Sequence, residues 1–281
     1  MFADKIMIST FKDDFMKRYI SLVLIFLLCF SLGACSVKNN PAGTDNTVPT
    51  EEATTSLPKP DIENAEYSKE FTDANGRVVY TVKAQLPNFS GNIPEHVLSY
   101  LNGIVYGIFN NACETAESNI ENAASFMDAQ QLETPWSRSF DYDINFSDGR
   151  YLSFTVKDYF TMYGSTNLQP DMTGYTFDII KGLPCTLLDF SYENYSYDNV
   201  RQILIDEFIC DDISTVFYND APLTDEQRSV VHEVVDTANF YLTDTGIGFY
   251  FSKNAINPGH FGTFVAHFTW DEVAVVLRMP K

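Results

Sequence analysis

Beginning at Val78, apolar and polar residues alternate: Val78, Tyr80, Val82, Ala84 and Leu86 fall on one side of "RVVYTVKAQL", the period-2 signature of a strand buried on one face. After Asn92 and Pro94, both helix-start signals, the period changes. Val97, Leu101, Ile104, Val105, Ile108 and Ala112 recur at helical spacing and predict one long helix with a buried stripe, running on with fewer apolar residues towards Met127. Alternation then returns. Phe140, Tyr142, Ile144 and Phe146 are interleaved with Asp141, Asp143 and Asn145; Asp148-Gly149 marks a hairpin turn; Leu152, Phe154 and Val156 resume the pattern. A third run, "YTFDII", ends at Lys181-Gly182.

Around Val200, Ile203, Leu204 and Phe208 the helical period reappears, and Thr224-Asp-Glu-Gln227 has the form of a capping box opening another helix. Strands are expected at "NFYLT", "GIGFYFS" and "TFVAHF", followed by a last helix from Thr269 with Glu272 as its box partner. Helices and strands follow one another without βαβ regularity. That order predicts an α+β fold, an antiparallel sheet with helices packed on one face.

The N-terminal part reads differently. From Ile20 to Ala34 the chain is nearly all apolar, yet shorter than the roughly 20 residues a membrane-spanning helix needs. Lys17-Arg18 ahead of it and small residues behind it give the layout of a secretory signal. Met16 before the basic pair fits a start codon, which makes residues 1–15 an upstream extension. The ending Leu32-Gly33-Ala34-Cys35 resembles a bacterial lipobox. That resemblance implies cleavage before Cys35, a diacylglyceryl group on its thiol and acylation of the new N-terminus. Multiple chains on one residue hold a protein stably at a membrane, where a single chain does not.

The expected organisation is therefore a signal peptide over 1–34, a lipidated Cys35 with a Thr-, Asn- and Pro-rich tether over 35–62, and a domain over 63–281. The full chain has 18 basic and 38 acidic residues, a net charge of −20. Removing the leader does not relieve this, because Lys5, Lys12, Lys17 and Arg18 leave together with Asp4, Asp13 and Asp14. A field of that sign excludes nucleic acid as a partner and favours cationic ones. Cys113, Cys185 and Cys210 in the domain form no framework of paired spacings, so disulfides are not what holds it together.

Catalytic signatures are missing. The chain has no G-x-S-x-G elbow, phosphate-binding loop, dinucleotide fingerprint or H-E-x-x-H. His96, His232, His260 and His267 are scattered, Gly246-Ile-Gly248 reads as turn chemistry, and no cofactor or metal is expected. Asp141 and Asp143 share a strand face, the pairing that acid and base roles in glycoside hydrolysis use, but their alternation fits a solvated face better. Tyr192, Tyr195 and Tyr197 in "FSYENYSY" are candidates for stacking on a sugar or filling a partner's cleft.

Two stretches, "YLSFTVKDYFTMYGSTNLQPDMTGYTFDIIKGLPCTLLDF" and "FYLTDTGIGFYFSKNAINPGHFGTFVAHFTWDEV", together with "VVYTVKAQLPNFSG" and its helix, resemble an extracytoplasmic domain of unknown function. That domain is shared by RsiV, a lysozyme-sensing anti-sigma factor, and the N-terminus of PdaC, a peptidoglycan deacetylase. The resemblance implies an α+β fold and, in one branch, binding of lysozyme. Where the family places Gly-Gly-Ala-His after a loop tyrosine, this chain has Tyr163-Gly164-Ser165-Thr166-Asn167, so a role tied to that histidine does not transfer. Asn257-Pro258-Gly259-His260-Phe261-Gly262 corresponds to the family's late loop. Two expectations follow. The first is an envelope lipoprotein whose loops around Tyr163 to Tyr175 and Asn257 to Gly262, the latter with Pro258 and His260, bind a lysozyme-like cationic protein or a wall-derived (peptidoglycan) ligand. The second is a carbohydrate-binding module or envelope hydrolase working through Asp141, Asp143 and the loop tyrosines.

Overall fold

The computed structural model describes residues 59–162, 170–235, 239–251 and 263–280; Cys35 and the tether as far as residue 58 lie outside them. Six strands form one sheet in the order β1 to β6: β1 Pro60–Thr72, β2 Val78–Gly91, β3 Trp136–Ser147, β4 Tyr151–Thr161, β5 Asp171–Asp178 and β6 Leu183–Pro184. All neighbours are antiparallel except β2 and β3. A parallel pair needs a long crossover, which here consists of helices α1, Glu95–Ser118, and α2, Ile120–Gln130.

The helices cover one face of the sheet because the apolar positions of both layers agree. Val97, Leu101, Val105, Phe109, Ala112, Cys113 and Ala116 of α1 are buried against Tyr80, Val82, Ala84 and Leu86 of β2 and Leu152, Phe154 and Val156 of β4, in one hydrophobic core. Ile104 and Ile108, also expected on the stripe, are only partly buried at its margin. The long helix breaks at Asn119, whose backbone leaves the helical region. Its side-chain amide donates to the Thr115 carbonyl at 2.8 Å, and α2 continues beyond it.

A second core lies on the opposite face. Helix α3, Tyr197–Ile203, runs through a π-helical turn, Leu204–Ile209, into α4, Cys210–Tyr218; α5 spans Asp225–Val235. The strands β7 Asn239–Leu242, β8 Gly246–Phe251 and β9 Phe264–Thr269 form a separate antiparallel sheet. Ile205, Ile209, Ile213, Phe249, Ala266 and Val276 meet there with Phe146 and Tyr151 of the first sheet. Both expected capping boxes form. Thr224 N–H donates to Gln227 at 2.8 Å, and Thr269 N–H to Glu272 at 2.7 Å, the latter opening a single 3-10 turn, Glu272–Val275.

The architecture is mixed α and β with an antiparallel-rich sheet, as the pattern predicts, and three features differ. The segment around Tyr67, which shows no clear alternation, is strand β1, so the folded unit already includes Pro60 to Ile62 of the expected tether. One strand pair is parallel. Of the glycine pair read as turn chemistry, Gly248 is an interior residue of β8 and only Gly246 belongs to the turn, Thr243 to Gly246, closed by the Thr243 N–H to the Gly246 carbonyl at 2.9 Å. Among the described residues no helix is long and apolar enough to cross a membrane, and Cys113, Cys185 and Cys210 are free thiols.

Candidate functional site

Two hairpins, β4–β5 and β8–β9, carry the two connections expected to bind ligand. Residues 163–169 connect the first pair and 252–262 the second; Tyr163, Gly164, Ser165, Thr166, Asn167, Pro258 and His260 lie outside the described residues. The flanks of these connections are described, and they touch: the Thr263 hydroxyl donates to the Pro170 carbonyl. The C-terminal flanks of the two connections therefore adjoin.

This juxtaposition depends on a glycine. Residue 174 faces β7 at the point where the Phe240 carbonyl oxygen would lie 2.6 Å from any Cβ. Only a residue without one lets β7 lie flat on β5. Polar stitching completes the seam, since the Leu242 N–H donates to the Ser153 hydroxyl at 2.9 Å, and Ser153 and Thr176 share a hydrogen bond of 2.9 Å. Tyr241, almost buried in the seam, has its phenol pKa pushed up by burial and by the charge of Asp143.

Below the loop flanks, on the helix-facing side of the sheet, Arg138 grips Asp158. Its Nε lies 3.0 and 3.1 Å from the two carboxylate oxygens, and a second nitrogen 2.5 Å from Oδ2. Burial alone would lower the Arg138 pKa; the hydrogen bond and charge of Asp158 outweigh it and hold the guanidinium above its usual value. Asp158 pairs across the sheet with Asp171, next to Pro170. Beside the ion pair Tyr80, Trp136 and Phe160 pack together, Phe160 stacked on Tyr80 at 6.2 Å and edge-on to Trp136 at 5.8 Å. Phe160 is 39% exposed. Sequence reasoning missed Arg138 and Asp158, although a signal existed: each occupies an inward position in a strand whose other inward residues, Phe140, Phe154 and Val156, are apolar.

The remaining candidates separate. Tyr175 belongs to β5 itself, half-buried with its ring stacked on Phe154 at 5.1 Å. Asp143 is held by Lys157 at 2.5 Å on the opposite face, and Asp141 accepts the N–H of Tyr142 at 2.8 Å. Tyr192 and Tyr195 donate to the carbonyls of Ala274 and Val275, at 3.0 and 3.2 Å, which ties them to the C-terminal turn. No described contact joins these tyrosines to Asp141 or Asp143. His232 binds Asp206 at 3.0 Å and His267 binds Thr243 at 3.0 Å. Among the described residues no three His, Cys, Asp or Glu side chains gather as metal ligands.

Comparison with known proteins bears on the second layer. Residues 198–271 match the model of DUF3298, a protein family of unknown function. The DUF3298 match runs from the start of α3 to just past β9, so it contains β7 to β9 and the whole 252–262 connection. No curated protein matches the chain. Among solved structures, the fold is similar to a DUF3298 family member from Bacteroides fragilis, with a TM-score of 0.54 at 12% identity over 80% of this chain and 96% of that one. A DUF3298 family protein from Pseudomonas aeruginosa aligns at a TM-score of 0.45 and 11% identity, over 78% and 94% of the two chains. The first likeness extends the shared fold beyond the DUF3298 segment to the six-stranded sheet.

Proposed function

We propose that this is a cell-envelope lipoprotein, anchored through Cys35, whose domain binds or senses an extracytoplasmic ligand at the loop-bearing end. The observation that carries the reading is the contact between Thr263 and Pro170, because it gives two separate connections a common base. Chain segments positioned by a rigid scaffold are where binding residues concentrate. The sharper form of the reading takes the ligand to be a cationic protein of the lysozyme kind. It draws on the net charge of −20, which speeds encounter with a cation and makes that encounter salt-sensitive.

Two measurements test the parts separately. Full-length protein purified in detergent is titrated with hen lysozyme by calorimetry at low and high salt. Binding that weakens with salt and is reduced by Thr263→Val is the expected result; its absence at low salt removes lysozyme as ligand. Metabolic labelling with an alkyne fatty acid tests the anchor: label that persists in Cys35→Ser overturns it.

A further inference from the structure

The six-stranded sheet ends differently on its two sides. β6 is a two-residue strand, Leu183–Pro184, too short to template anything. β1 runs for 13 residues, in unbroken antiparallel register with β2 as far as Phe71. As the edge strand, it pairs on one side only among the described strands, leaving a row of outward backbone groups. Such rows are templates for a further strand.

The side chains decide which strand fits. Glu66, Ser68 and Glu70 stand opposite Gln85, Lys83 and Thr81 on one face, the face away from the helices. On β1 itself Asp61, Glu63, Glu66 and Glu70 are exposed against one exposed cation, Lys69, whose ammonium sits 4.8 Å over the Phe71 ring; Lys83 of β2, exposed opposite Ser68, offsets part of that charge. A second copy of this chain would add its own acidic excess, and like charges directly opposite one another destabilise a sheet. The complementary occupant is basic. On the other face Tyr67, 5.2 Å from Phe109 and 6.1 Å from Tyr106, gives an apolar neighbour for an alternating residue.

We propose that the β1 edge is a strand-addition site for an extended basic polypeptide segment with Lys or Arg four residues apart, opposite Glu66 and Glu70. The backbone ladder holds the segment, and the charges set its register. A one-residue slip turns both cations to the wrong face. This surface lies on the side of the sheet away from the β4–β5 hairpin and does not depend on the loops as a binding site.

The test uses full-length protein in detergent and a fluorescein-labelled peptide with the core Lys-Val-Thr-Val-Lys, read by anisotropy. Binding should weaken with salt and fall by about tenfold or more when alternate peptide amides are N-methylated. In the double variant Glu66→Lys, Glu70→Lys, with a thermal melt confirming that it folds, preference should pass to Glu-Val-Thr-Val-Glu. Absence of peptide binding, equal binding of the N-methylated peptide, or unchanged preference in the double variant each overturns the proposal. Lysozyme titration of the same double variant separates the two readings: a proposal lost at β1 with lysozyme binding retained leaves the loop reading intact.

Discussion

Two glycine-to-alanine substitutions should move stability in opposite directions, because the same added methyl group meets opposite surroundings. At Gly174 it would arrive 2.6 Å from the Phe240 carbonyl oxygen and 3.0 Å from its carbon, well inside the ~3.3 Å at which carbon and oxygen normally meet. The obstacle is strand backbone, so β7 must retreat by roughly 0.7 Å or more on that contact distance. Retreat strains the bond from Leu242 N–H to Ser153, 2.9 Å long and buried. Overpacking costs about 1–3 kcal/mol and a weakened buried hydrogen bond adds about 1 kcal/mol. Gly174→Ala should therefore lose about 2–4 kcal/mol, lowering Tm by roughly 5–10 °C in a domain of this size. At Gly103, on α1, an added Cβ meets nothing within 4 Å. There alanine should gain about 0.5–1 kcal/mol by reducing backbone freedom in the unfolded chain. Urea unfolding and scanning calorimetry on both variants check the pair. A Gly174→Ala melt within about 1 °C of the parent, on the scale that relates free energy to Tm, would refute the close apposition of the two sheets.

Removing the carboxylate from the inner-face ion pair, Asp158→Asn, leaves the partly buried Arg138 without its counter-charge and should cost about 1–3 kcal/mol in urea unfolding; an unchanged midpoint would contradict the pairing. The Cys185 thiol, pushed up to about 12 by burial and by the nearby Asp189 and Asp178, should resist Ellman's reagent at mildly alkaline pH in the native protein and react on unfolding, as mass mapping would show. Burial alone would raise the Asp189 pKa, but the N–H and hydroxyl of Thr186 and the charge of Lys181 outweigh it and hold it below the usual value. A depressed carboxylate adds stability that is present above its unfolded pKa of about 3.9 and is lost as pH falls through the folded value. The Tm difference between parent and Asp189→Asn should accordingly be largest at neutral pH and shrink below about pH 4, and a constant difference across that range would count against the hydrogen bonds from the Thr186 N–H and hydroxyl to Asp189.

What could be read from the chain followed burial asymmetry. β2 and α1 each bury one clean face, so Val82, Leu86, Val97 and Leu101 announced themselves. The caps at Thr224 and Thr269 were legible because their partners lie three residues away. β1 was not legible, since an edge strand facing water on several sides needs only Ile62, Tyr67 and Phe71, at irregular spacing, to pack and can fill the rest with charge. The glycines of β8 carry a tertiary cause that no local pattern encodes: a Cβ at Gly248 would collide with the Tyr241 ring, at 2.3 Å from its Cζ, and one at Gly246 with the Phe268 carbonyl, at 1.9 Å. The parallel β2–β3 pair and the approach of β7 to β5 are likewise long-range events. At the candidate site, the sequence pointed to the two connections; the Thr263 contact, Arg138 and Asp158 emerged only from the fold.

Strand β4 has a consequence for how the protein can be divided. Tyr151 feeds the core shared with β7 to β9, while its neighbour Leu152 feeds the core beneath the helices. Phe146, Leu187 and Phe190 also supply the former core from outside residues 198–271. A fragment cut at the limits of the DUF3298 match would lack these plugs and expose Phe249, Ala266 and their neighbours to water. The matched stretch thus borrows part of its core from residues outside it, and β4 supplies both layers at once.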